Sequence, residues 1–133
     1  LLGEGVAVLV STPYMDEASR CHCLGFMSRG RLLVEGAPAE VARRLEGRVL
    51  EVVGAPLRDL ARLARGDGGV EAAQLFGDRL HLRVAPEAAD AVMHRLPEAA
   101  MAADIQVDSI RLVPAQLEDV FIHLLESEAP QAS

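Results

Sequence analysis

Arg79-Leu80-His81-Leu82-Arg83-Val84 alternates without a break. Leu80, Leu82 and Val84 fall on one side of an extended chain, and Arg79, His81 and Arg83 on the other, because successive strand side chains point to opposite faces. Working outward, Gly77-Asp78 supplies a tight turn to a partner strand, Val70–Phe76, so this region reads as a hairpin. Upstream lie the flexible Gly66-Asp67-Gly68-Gly69, a helix over Leu57–Arg65 behind Pro56, and a strand from Arg48 to Val53. Downstream, Pro86 opens a helix whose Ala89, Val92, Met93 and Leu96 share one face. A last strand lies within Ile105–Val113. Its alternation changes phase between Val107 and Ile110, which predicts a bulge or a loop-to-strand boundary near Asp108. The order strand, helix, strand, strand, helix, strand is the split βαβ, ferredoxin-like order. Crossovers of that hand put both helices on one sheet face and leave the other for a partner.

A terminal helix follows, with Leu117, Val120, Phe121, Leu124 and Leu125 on one stripe that reads as core or docking surface. The tail Glu126–Ser133 is expected to fray. Ahead of Gly47 the pattern differs. Val6-Ala7-Val8-Leu9-Val10 reads as a strand buried on both faces, and Ser11-Thr12-Pro13 breaks it and caps a helix through Tyr14–Arg20. Leu24–Ser28 and Arg31–Gly36 form a hairpin around Arg29-Gly30, and Pro38 opens a helix to Leu45. The chain begins at Leu1, almost directly on an apolar strand, and is read as a fragment with a boundary near Gly47.

Half of the residues are hydrophobic, ample for a core, but aromatics are so few that Leu, Val and Ala must fill it. The basic residues are all Arg, as in the coding bias of a GC-rich bacterial genome. A formal net charge of −7 without a basic block argues against nucleic acid, whose phosphates demand a cationic footprint. No apolar run approaches the roughly 20 residues that cross a bilayer. Cys21 and Cys23 are too close in sequence for an ordinary disulfide and fit a reducing compartment.

Three stretches carry a family resemblance. Val10-Ser11-Thr12-Pro13-Tyr14-Met15-Asp16-Glu17-Ala18-Ser19-Arg20-Cys21 resembles the switch-loop region of ABC ATP-binding domains, where a strand ends in Ser-Thr-His before a Met-Asp-Glu-Ala helix. Met27 to Val41 is similar to that family's closing hairpin, Gly-x-Pro and short helix. Gln116-Leu117-Glu118-Asp119-Val120-Phe121 resembles the Leu-Glu-Asp-Val-Phe helix closing the C-terminal extension of drug-exporter-type ABC ATPases.

The resemblance implies an α+β chain: residues 1–46 as the truncated end of an ABC ATPase α/β core, and 47–133 as an appended ferredoxin-like domain with its terminal helix. It implies a bacterial subunit that couples ATP hydrolysis to export. Its partners would be a second ATP-binding subunit or tandem domain and an integral membrane permease, and it would sit peripherally on the cytoplasmic face of the membrane. ATP and magnesium would belong to the parent and no cofactor to this chain. Gly-x-x-x-x-Gly-Lys-Ser/Thr, Leu-Ser-Gly-Gly-Gln and a strand ending in Asp-Glu are all missing here. The chain itself would then be non-catalytic, with a dimerisation or regulatory role. Ser11, Thr12 and Pro13 occupy the switch-loop position. Proline stands where the family usually has His and offers neither a side-chain donor nor an N–H, which implies slow hydrolysis or reliance on a partner site.

Other candidates read more plainly. Cys21-His22-Cys23 offers three zinc-type ligands where a structural site needs four, so small cysteines at a helix end are the better reading and no metal is expected. Asp16 with Glu17, and Glu118 with Asp119, sit at helix starts and serve the dipole. Arg79, His81 and Arg83 make a cationic stripe, either solvated or facing an anionic ligand or partner. A stand-alone small-ligand-binding or protein-interaction module is the alternative function. An independent hydrolase is disfavoured, because no nucleophile has a His partner at readable spacing.

Overall fold

The computed structural model describes residues 5–128. In chain order these form α1 (Met15–Ala18), β1 (Leu24–Ser28), β2 (Arg31–Gly36), α2 (Pro38–Ala42) running into a 3-10 turn (Arg43–Leu45), β3 (Val49–Ala55), α3 (Leu57–Arg65), β4 (Val70–Phe76), β5 (Arg79–Val84), α4 (Ala89–Ala102), β6 (Gln106–Leu112) and α5 (Leu117–Glu128). The fold is α+β. β1 and β2 pair as a hairpin, and the other four strands form an antiparallel sheet in the order β4-β5-β3-β6, the arrangement that the split βαβ order dictates.

The alternation in β5 decides what the sheet buries. Leu80, Leu82 and Val84 are fully inaccessible, as are Leu50 and Val52 of the neighbouring β3. Against them pack Leu60, Ala61 and Ala64 of α3, and Ala89, Val92, Leu96 and Ala100 of α4. Burying each Leu or Val in this layer is worth about 1.5–3 kcal/mol, which sets this face as the main core. The expected bulge is present. Val53 pairs with Ser109 and the adjacent Gly54 with Val107, so Asp108 is the extra residue.

A second core lies on the opposite sheet face. Leu24 and Phe26 of β1, Val41 of α2, Leu45 of the 3-10 turn and Val49 of β3 close around Leu117 and Val120 of α5. The rings of Phe26 and Phe121 meet with centroids 4.9 Å apart. The stripe of the terminal helix is therefore core, and α5 joins the β1–β2 hairpin to the four-stranded sheet. It also covers part of the sheet face that the crossovers leave open.

Three expectations are corrected. Val6 to Val10 pairs with no strand among the described residues, and Val6, Val8, Leu9 and Val10 are exposed, Leu9 completely. An apolar run becomes a buried strand only where neighbours exist to bond it, and none of the described residues pairs with it. α4 starts at Ala89 rather than at Pro86, because Glu87 takes a left-handed φ of 65° that a helix cannot include. α5 continues through Glu128 instead of fraying from Glu126, and the remainder of that tail lies outside the described residues.

Candidate functional site

The polar face of β5 is where titratable groups converge. His81 is 3% exposed. Its Nδ1 lies 3.2 Å from Asp119 Oδ1 and its Nε2 3.5 Å from Glu51 Oε2. The Phe76 ring lies against it, centroids 4.5 Å apart. Glu51 also accepts from Arg79 Nη1 at 2.5 Å and from Arg111 Nη2 at 2.9 Å. The Arg111 hydrogen bond holds the Glu51 carboxyl down to about 2, with burial opposing and Arg79 assisting. Asp119 raises the His81 imidazole above its ordinary value, again against burial, and Glu51 adds to the effect.

Asp119 has a second task. Its Oδ2 accepts the Gln116 N–H at 2.9 Å, the backward half of a capping box at the start of α5. Of the acidic pair at this helix start, Glu118 is exposed and Asp119 is buried. Further along the face, Arg83 donates to Glu71 at 3.2 Å and to Glu126 at 2.6 Å, while Arg48 donates to Glu71 and to the Val84 carbonyl. His123, on the next turn of α5, has a buried Nδ1 without a hydrogen-bond partner. Burial first, then Arg83 and Arg48, push its pKa down.

The stripe predicted from alternation thus exists, and the anions its three cations meet are the chain's own: Glu51, Glu71, Asp78, Asp119 and Glu126. Sequence reasoning missed Glu51 and the pairing of Asp119 with His81. The only signal for Asp119 was its place three residues beyond Gln116. A His–Asp pair invites a catalytic reading, but the shallow cleft beside it is lined by Ala72, Gln74, His81, Arg83, Asp119 and Ile122, with no Ser, Thr, Cys or Lys for the pair to activate. What the pair can do is bind α5 to the sheet.

The other candidates stand apart from this network. Ser11 and Pro13 are exposed, and Thr12 Oγ1 accepts the Tyr14 N–H at 3.0 Å. ATP with magnesium does not fit the residues here. α1 is four residues long and begins behind Tyr14 without a side-chain cap, Pro13 has no donor, and the chain holds neither a Gly-rich phosphate loop nor a lysine. Asp16 and Glu17 lie in the first turn of α1, exposed. Cys21 is half-buried with its thiol 3.7 Å from the Glu17 carbonyl, and Cys23 is exposed. Among the described residues no three His, Cys, Asp or Glu side chains are grouped to hold a metal ion. On the far side of the sheet edge, Arg58, Arg62 and Arg65 of α3 line a solvent-open groove with Leu75.

No protein-family model matches the chain. The chain is nevertheless homologous to ABC transporter ATP-binding proteins over nearly its whole length. It is similar to Nod factor export ATP-binding protein I of Paraburkholderia xenovorans, 36% identical over 136 residues that take in 96% of this chain and 40% of that protein. The protein of the same description in Mesorhizobium japonicum is 30% identical over 132 residues, 96% of this chain and 35% of the relative. The probable multidrug ABC transporter ATP-binding protein YbhF of Escherichia coli is 42% identical over 48 residues, 36% of this chain and 8% of the relative. The chain therefore spans about 40% of the length of the first of these relatives. Among the described residues no helix is long and apolar enough to cross a membrane.

Proposed function

We propose that the chain is the C-terminal part of an ABC transporter ATP-binding subunit of the exporter type. Residues 1–46 are the closing part of its nucleotide-binding domain and 47–133 an appended ferredoxin-like domain. The observation that carries this reading is the similarity to two export ATP-binding proteins across 96% of the chain. The place of the Leu-Glu-Asp-Val-Phe helix supports it as well. α5 belongs by sequence to the appended part, yet it packs on Leu24, Phe26, Val41 and Leu45 of the preceding part. A domain fastened in that way moves with the nucleotide-binding domain and can stabilise the dimer that ATP assembles.

ATP and magnesium are then held by residues of the subunit outside this chain, with Ser11, Thr12 and Pro13 at the edge of that site. The subunit works on the cytoplasmic face of the membrane, paired with a second ATP-binding domain and with a permease. The role of this chain is to join and regulate rather than to react.

Light scattering on the complete subunit tests the proposal. MgATP is expected to drive dimerisation, and deletion of residues 47–133 to weaken it by about tenfold, or ~1.4 kcal/mol. Dimerisation of equal strength without residues 47–133 would remove the joining role.

A further inference from the structure

His81 lies almost wholly out of water between carboxylates from two different elements, Glu51 on β3 and Asp119 on α5. A neutral imidazole has one N–H and one lone pair, whereas the imidazolium has two N–H donors and no lone pair. With a carboxylate oxygen at each nitrogen, the neutral ring donates to one partner and turns its lone pair on the other. The charged ring donates to both, and charge-assisted bonds of that kind are the stronger ones. We infer that His81 is a charge-dependent latch: its protonated ring fastens α5 to the sheet, and losing that proton loosens the C-terminal helix. This goes beyond the transport reading and does not depend on it.

The surroundings of the ring support a single charge at this point. From β3 it meets Glu51, whose Oε1 is engaged by Arg79 of β5 and Arg111 of β6 while Oε2 faces the ring. From α5 it meets Asp119, with Ile122 lining the same cleft, and from β4 it meets Phe76 and lies opposite Gln74. Along its own strand Arg83 is turned to Glu71 and Glu126. The three arginines thus direct their charge to other oxygens. Among the described residues His81 is the one cation within ion-pair distance of Asp119.

The sign follows from linkage. Folding raises the His81 pKa above its ordinary value of 6.5, so the latch contributes fully below 6.5 and is lost as pH climbs through the folded value. The sensitive window therefore lies above that ordinary value. Loosening α5 also uncovers Leu24, Phe26, Leu45 and Val49, so the proton state of one ring reaches the hairpin on the other side of the helix.

Nuclear magnetic resonance titration of the ring Cε1–H signals of the chain, from about pH 5 to about pH 10, tests the latch. The same signals of the urea-unfolded chain serve as the reference. His81 is expected to titrate with a higher midpoint in the folded chain than in the unfolded one. Hydrogen-exchange protection of α5, corrected for base catalysis, is expected to fall through the same midpoint while β3 and β5 stay protected. Asp119→Asn keeps an oxygen for the Gln116 cap and is expected to bring the His81 midpoint down and to abolish the loss of α5 protection at the His81 transition. A His81 midpoint at or below that of the unfolded chain would overturn the inference. So would α5 protection that is indifferent to the His81 transition. The wild-type titration decides even if Asp119→Asn does not fold.

Discussion

Leu45→Ala is expected to cost about 2–5 kcal/mol of folding stability, among the largest losses any single truncation in this chain can produce. Leu45 ends the 3-10 turn behind α2 and is completely inaccessible. Around it lie side chains from β1, α2, β3 and α5, namely Leu24, Phe26, Val41, Val49, Leu117 and Val120. Truncation removes three carbon atoms from a site walled by separate elements, which relax only partly into the space. The loss thus has a transfer and a cavity component. Its distribution is as telling as its size. α5 loses part of the surface on which it docks, so its amides and those of β1 and β2 should become less protected together. Urea unfolding gives the total, and hydrogen exchange gives the distribution. A cost below about 1 kcal/mol would mean that the hairpin and α5 are not joined through this residue.

Gly54→Ala is expected to cost about 3 kcal/mol for the opposite reason, too much matter rather than too little. Gly54 lies on β3 where the register with β6 shifts past Asp108. A Cβ there would overlap the backbone carbonyl oxygen of Gln106 and come within 3.1 Å of Leu60 Cδ2. The Leu60 contact can yield by a rotation. The carbonyl cannot, because it is fixed in the strand, so β6 must be pushed away from β3 and the ladder weakened. Gly68→Ala provides the control, since nothing lies within 4 Å of the added carbon, and it is expected to stay within about 0.5 kcal/mol of the parent. Thermal unfolding of both variants separates the close approach of β3 and β6 from a general glycine effect. Equal stability of the two would refute the tight-contact account.

How much could be read from the residues alone follows from the range of the forces involved. β4, β5 and α3 have the bounds their periodicity predicts, because alternation and 3.6-residue stripes are local and the glycine turns between them need no tertiary help. The bulge at Asp108 was legible for the same reason, since a phase change in a strand has few other causes. The start of α4 was not, because the left-handed Glu87 is an ordinary residue that gives no sign of its φ. Val6 to Val10 shows the limit of apolar runs, which state what a segment wants to bury against but not whether a neighbour is there. The network on the polar face was half legible. Arg79, His81 and Arg83 follow from alternation, but the approach of Asp119 to His81 spans 38 positions and depends on the course of α5. That course is set by the docking of Phe121 on Phe26 and of Leu117 on Leu45 and Val49, which no local pattern encodes.

The most direct test of the central claim, that this chain joins and regulates an ATP-binding subunit without holding the nucleotide itself, is a calorimetric titration of MgATP. It would be run on the chain alone and on the complete subunit. The account predicts no heat of binding for the chain at millimolar nucleotide and saturable binding for the complete subunit. Stoichiometric binding of MgATP by the chain alone would contradict it.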